Sequence, residues 1–242
     1  MQTLFASLPL SFFSDLGQQF YDDFILKDRY MYIVQGFGNT VAITLVAVII
    51  GIILGTLVAL VRITHQNNPK KLRILNKICG LYLTVIRGTP GVVKLMIIYF
   101  VVFASSSMNP MVSAMLAFGL NSGAYVAEIV RGGIMAVDNG QFGAGRALGF
   151  NYFATMRHII LPQAFKNILP ALGNEFIVLL KETSVAGYIG VADLTKGGDI
   201  ITSNTYNAFL PLIAVALIYL VMVLGLQALV GKLERRLRKS DH

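Results

Sequence analysis

Between Arg29 and Arg62 the chain carries no charged residue, and its apolar run is long enough to cross the ~30 Å hydrocarbon layer of a membrane as a helix. That pattern predicts a first span over 37–61. Four more follow, over 75–104, 111–135, 168–189 and 206–230, separated by polar or turn-forming segments such as Asn109-Pro110 and Gly197-Gly198. The exception is 137–167, where Gln141, Arg146, Asn151, Arg157, His158, Gln163 and Lys166 are scattered among apolar residues at helical spacing (Phe142, Leu148, Tyr152, Met156). This segment predicts two short amphipathic helices joined by a turn. Gly149 closes the first in a left-handed cap, and Pro162 ends or kinks the second. Ahead of the first span, 14–30 sets Asp15, Asp22, Asp23 and Asp28 against Lys27 and Arg29, with Phe20, Phe24 and Ile25 on one side. It reads as an amphipathic helix on the outer surface, or as a disordered leader. The expected fold class is all-α, a polytopic membrane protein with five transmembrane helices. Residues 1–36 form an extracytoplasmic segment, 37–231 the membrane domain with its loop at 137–167, and 232–242 a basic cytoplasmic tail.

Composition agrees with this class. Of 242 residues, 55% are hydrophobic and 13% charged, with a mean hydropathy of +0.68, which excludes an ordinary soluble domain. A net charge of +8 raises nucleic acid as a partner, but the placement of the charge points elsewhere. Arg62, Lys70, Lys71, Arg73 and Lys77 crowd one loop, and Lys232, Arg235, Arg236, Arg238 and Lys239 crowd the tail. Five spans put both clusters on the cytoplasmic side and the N-terminus outside, as the positive-inside rule requires. The single cysteine, Cys79, leaves no intrachain disulfide or cysteine-rich metal site. The apolar stretch 4–13 has no preceding Lys or Arg and makes a poor signal peptide. There is no Trp, so Tyr30, Tyr32, Tyr99, Tyr206 and Tyr219 are the candidates for the interfacial belts.

No G-x-x-x-x-G-K-[ST] phosphate loop is present, so ATP hydrolysis is not expected in this chain. His65, His158 and His242 fall in loops and tail, and no nucleophile–base pair is apparent. No catalytic residue, metal site or cofactor is expected. The informative residues are charges within spans, which are costly there and normally face a protein interior or a water-filled path. They are Arg87 and Lys94, then Glu128 and Arg131 on one helix face, then Glu175, Lys181 and Glu182. Glu175 and Glu182, seven apart, share a face that Lys181 does not. Arg131 and Glu175 also suit span boundaries, where Arg131 snorkels and Glu128 pairs with it. For Lys94, Lys181 and Glu182, a polar pathway and a buried interhelix ion pair are both open readings. Arg87-Gly88-Thr89-Pro90 interrupts its span, and exposed backbone at such a break is tolerated only beside a cavity or other protein.

Three segments resemble one known family. Gln141, Ala144, Arg146, Ala147, Leu148 and Gly149, followed by Ile160-Leu161-Pro162-Gln163-Ala164 and Pro170, are similar to the cytoplasmic coupling loop of ABC-importer permeases, in the branch importing polar amino acids. Arg87-Gly88-Thr89-Pro90 and Lys181-Glu182-Thr183-Ser184 match the same branch, so the resemblance covers about 39–229. It departs at Gly143-Ala144-Gly145, where the family pattern reads Glu-Ala-Ala, and at Lys94, where a neutral glutamine is common. The resemblance implies a permease subunit of the bacterial cytoplasmic membrane that moves a polar amino acid by alternating access. Its implied partners are cytoplasmic ATP-binding subunits, an extracellular or periplasmic substrate-binding protein and a second permease subunit, like or unlike, with no nucleic acid. Gln141, Phe142, Gly143, Ala144, Arg146, Leu148 and Gly149 would meet the ATPase, although Gly143 lacks the carboxylate that pairs with it. Arg87, Thr89, Lys94, Glu128, Lys181, Glu182, Thr183 and Ser184 are the implied substrate-path candidates. A self-sufficient secondary transporter or channel, with Lys94, Glu128 and Lys181 as an ion relay, is the alternative.

Overall fold

The computed structural model describes residues 10–238. Most of the apolar stretch 4–13, and Lys239 and His242 of the tail, lie outside the described residues. Among the described residues all regular structure is helical. Leu10–Phe20 forms α1. The single helix expected over 14–30 then gives way to a π turn at Tyr21–Ile25 and a 3₁₀ turn at Leu26–Asp28, because Lys27 and Asp28 adopt left-handed backbone (φ 61° and 53°). Asn207 donates to the buried Asp23 carboxylate at 2.7 Å and anchors this turn.

Helix α2, Tyr30–Asn67, overruns the expected first span at both ends. The expected second span is not one run. Arg73–Gly88 (α3) and Gly91–Ile97 (α4), the latter extended by a π turn to Val102, are bent by 115° at Thr89-Pro90. Proline both lacks an amide hydrogen and drives the preceding residue into extended backbone, and Thr89 has φ −113° and ψ 140°. Pro110–Met135 (α5) reproduces the third span.

Helices α2 and α5 run parallel in close contact, with Gly51 against Ser122 and Gly55 against Val126. The bent pair between them therefore returns the chain to the end from which α2 started. Leu161–Glu182 (α8) runs antiparallel to α5, with Ile168 over Gly133 and Glu175 bonded to Ser122. Leu194–Thr205 (α9) and Phe209–Arg238 (α10) complete the fold, and α10 passes α9 at Val215 before it meets Gly173 of α8 at Val230. Among the described residues three helices, α2, α5 and α10, are long and apolar enough to cross a membrane, or four if the bent pair counts as one span. Helix α8, where a further span was expected, does not qualify on that measure, and it ends at Glu182 in a 3₁₀ segment, Thr183–Ile189. The expected domain limits at 36/37 and 231/232 both fall inside helices, α2 and α10.

Candidate functional site

Two regions gather the candidate residues. The first is a polar network around the break in the α3–α4 pair. In a continuous helix the Ile86 carbonyl would accept from the amide of residue 90, but residue 90 is proline. The ammonium of Lys94 takes that place and donates to the Ile86 oxygen at 2.6 Å. The Thr89 hydroxyl likewise donates to the Val85 carbonyl at 2.7 Å. Lys94 is buried at 8% exposure and also donates to Oδ1 of Asn121 on α5. The Asn121 Nδ2 in turn donates to Oε2 of Glu182 on α8 at 2.8 Å.

At the next residue of α5, the Ser122 hydroxyl donates at 2.9 Å to Glu175, two turns before Glu182 on α8. Glu175 is thus tied to the interior of α5 rather than placed at a boundary. Both glutamates face α5 while Lys181 is exposed, as their spacing requires. Glu128 accepts from Arg131 at 2.7 Å, one helix turn away, and lies 4.0 Å from Arg87. The Arg87 guanidinium stands 6.0 Å from the Tyr125 ring centroid. Thr183 is buried and donates to the Leu180 carbonyl at 2.7 Å. Ser184 borders a separate open cavity with Tyr188, Asp193, Lys196 and Asp199.

The substrate-path candidates therefore do not form one cluster. Lys94 and Glu182 share a network, Arg87 and Glu128 form a second group, and Lys181 stands apart. Asn121, uncharged and not among the candidates read from the sequence, joins the first network. A carboxamide in mid-span, within Asn121-Ser122-Gly123, was the available signal, because buried amides in membrane helices bridge to neighbours.

The second region is the segment after α5. Gly140–Ala147 (α6) ends in a Schellman motif. The Phe150 amide donates to the Gly145 carbonyl and the Gly149 amide to the Arg146 carbonyl, with Gly149 left-handed at φ 78° as expected. Asn151 then caps Tyr152–Thr155 (α7) by accepting from the Ala154 amide at 2.9 Å. Here the expectation of a second short helix ended by Pro162 is corrected. α7, a π turn at Met156–Ile160 and α8 follow one another without a break from Tyr152 to Glu182. Pro162 sits in the first turn of α8, where its ring and missing donor are tolerated, and the π turn lies just before it.

Gln163 donates to Gln141 at 3.3 Å, Phe142 stacks on Tyr152 at 5.9 Å, and Asn67 at the end of α2 donates to the Tyr152 hydroxyl at 2.6 Å. Burial pushes the Tyr152 phenol upward from its ordinary pKa. These contacts leave Gly143, Ala144, Arg146 and Leu148 on the outer face, with Leu148 71% exposed. The two glycines that interrupt the motif differ. A Cβ at Gly143 meets nothing within 4 Å, whereas one at Gly145 would lie 2.6 Å from Thr155.

A family model described as "Binding-protein-dependent transport system inner membrane component" matches residues 51–239. The chain belongs to that family. As an ABC-transporter permease of the bacterial inner membrane, it works with a separate ATP-binding subunit and a substrate-binding protein, and ATP hydrolysis resides outside this chain. The self-sufficient secondary transporter is not favoured. The permease is 38% identical over 211 residues to the putative glutamine transport system permease protein GlnP of Rickettsia bellii, covering 86% of this chain and 94% of that one. It is 41% identical over 212 residues to the arginine transport system permease protein ArtQ of Bacillus subtilis, covering 87% and 94%. A crystal structure of an amino acid ABC transporter with histidines superimposes with a TM-score of 0.79 at 42% identity, covering 88% of the permease and 98% of that chain. An inward-facing methionine ABC transporter, at 21% identity and a TM-score of 0.72, shares the fold.

Proposed function

We propose that this permease carries a polar amino acid inward as one half of a permease dimer, bound to two ATP-binding subunits and fed by an extracytoplasmic binding protein. The relatives named for glutamine and arginine support the substrate class. The observation that carries the reading is the α6 segment, an exposed helix closed at its C-terminus by a Schellman motif and tied by Thr155 and Gln163 to a rod that ends at Glu182 in the polar network. Closure of two ATPases on α6 would move that rod as a lever. Arg87 and Glu128 border the path toward the cytoplasm, Lys181 and Ser184 toward the outside, and Thr89, Lys94, Glu182 and Thr183 belong to its wall. An exposed Lys181 in the last turn of α8 supports a second permease subunit on that face, because a charge left facing lipid is costly. The proposal takes α8 as a fifth span, since its antiparallel packing on α5 runs from the coupling segment toward the outer loop.

Scrambling 140–149 in the assembled transporter is the direct test. Substrate-stimulated ATP hydrolysis and uptake are expected to vanish while the permease stays folded, and persistence of both overturns the reading. Gly143→Glu, which enters open space, is expected to raise stimulated ATP hydrolysis, because it restores about 1 kcal/mol of helix propensity and supplies a carboxylate. Gly145→Glu meets Thr155 and is expected to lower it. Topology is checked by single-cysteine labelling from outside, which should reach position 196 and miss position 68.

A further inference from the structure

The network at the helix break contains one uncharged member whose chemistry fixes its neighbours. Lys94 has donors only and a carboxylate has acceptors only, so an amide between them can be satisfied in a single orientation. Asn121 adopts it, with its oxygen toward the ammonium and its nitrogen toward Glu182. Asn121 is 5% exposed and sits on α5, which packs against α2 along the Gly51 and Gly55 seam. Its two partners belong to different mechanical elements. Lys94 holds the Ile86 carbonyl left without a donor by Pro90, and Glu182 is the last residue of the rod that begins at Tyr152 in the coupling segment.

We propose that Asn121 is a positioning residue for transport, clasping Lys94 of the broken helix to Glu182 of α8 so that displacement of the coupling segment reaches the break. The inference rests on the importer reading above. Without the amide, Lys94 and Glu182 have no hydrogen-bonded connection through α5, and α4 is joined to the end of α8 by apolar packing alone, in the core that holds Leu95, Leu179 and Ala186. Every group in the clasp is charged or bonded to a charge, the condition under which a hydrogen bond is both strong and costly to break.

An exchange of amide and acid tests it in the complete transporter, reconstituted with its ATP-binding subunits and binding protein. Asn121→Asp keeps an acceptor for Lys94 but sets two carboxylates face to face. Glu182→Gln keeps an acceptor oxygen for the Asn121 amide, so it removes the charge assistance but not the bond. Asn121→Asp combined with Glu182→Gln preserves both hydrogen bonds, the net charge and nearly the same volume, with the polarity of the second bond reversed. Asn121→Asp is expected to lower uptake per ATP hydrolysed by about tenfold, the worth of one charge-assisted hydrogen bond, and Glu182→Gln by less. The double variant is expected to recover most of that loss, a non-additivity that marks direct coupling. A merely structural role would show in detergent stability rather than in the uptake-to-hydrolysis ratio. If Glu182 instead acts by touching substrate, the double variant stays as poor as Glu182→Gln, and the clasp is overturned. Asn121→Leu transporting at the wild-type ratio overturns it too. Should wild-type uptake itself be independent of ATP, the importer reading fails, a result distinguishable from loss of rescue alone.

Discussion

Gly55→Leu is expected to abolish accumulation of folded permease, whereas Gly38→Leu, in the same helix, is expected to be tolerated. A Cβ at position 55 would stand 2.6 Å from Val126 Cβ and 2.7 Å from the Gly123 carbonyl oxygen. Two of the atoms it meets belong to a buried β-branched side chain and one to helix backbone, so neither neighbour can swing aside. At position 38 nothing lies within 4 Å. Both substitutions improve helix propensity equally, so the contrast isolates packing. Small residues permit close backbone approach in membranes, where van der Waals contact rather than water exclusion holds helices together. A leucine at 55 must push α5 away from α2 along the seam that supports α3 on one side and α8 on the other. Overpacking of this kind costs about 3 kcal/mol or more, and the strain spreads along a seam of residues 43–59. Monodisperse yield from membranes and the thermal midpoint in detergent measure the outcome. Equal midpoints for the two variants would show that the seam is loose.

The sequence made the seam visible in part, since Gly51 and Gly55 one turn apart signal close approach, but not the identity of the neighbour. That required knowing that α2 and α5 run parallel, a consequence of the single net return made by the α3–α4 pair. The break itself was legible at Arg87-Gly88-Thr89-Pro90, because proline removes a donor wherever it falls. Its 115° angle was not, because the angle depends on which side chains replace the lost bonds, and Lys94 and Thr89 do so from opposite sides of the proline. At the end of α6 the Gly149 cap was legible, since few other residues tolerate φ 78°. Pro162 misled, because proline is a breaker in a helix interior but an acceptable residue in a first turn, and only the fold supplies the π turn that makes Leu161 a new start. Gly143 and Gly145 look equivalent in sequence. Thr155 distinguishes them.

Lys94→Met is expected to destabilise the permease by several kcal/mol, with Lys94→Gln costing much less and neither changing the order of preferred substrates. Methionine matches the length and apolar stem of lysine, so the loss is electrostatic rather than steric. It leaves the Ile86 carbonyl without a donor and the Asn121 oxygen unpaired. It also leaves Glu182 in the protein interior without the positive charge beyond the amide. Removing one member of a buried charged network typically costs about 3–5 kcal/mol, because the remaining charge stays buried without compensation. Glutamine retains an amide donor that can serve one of the two acceptors, and it occupies the position where the resembling family commonly carries that residue.

A different role for Lys94 would be that of an ammonium selecting carboxylates in the path. A free ammonium about 4 Å from a substrate charge would be worth about 4 kcal/mol at an effective dielectric of 20, enough to dominate selection. At 8% exposure, already donating to a carbonyl and an amide and opposed by Glu182, the ammonium of Lys94 has little of that field left to offer. Thermal midpoints of the purified complex report the stability difference, and competition uptake with lysine, arginine, glutamate and glutamine reports the preference. If Lys94→Gln shifts uptake toward lysine and arginine with its midpoint unchanged, the ammonium faces substrate and the structural role assigned to it here is wrong.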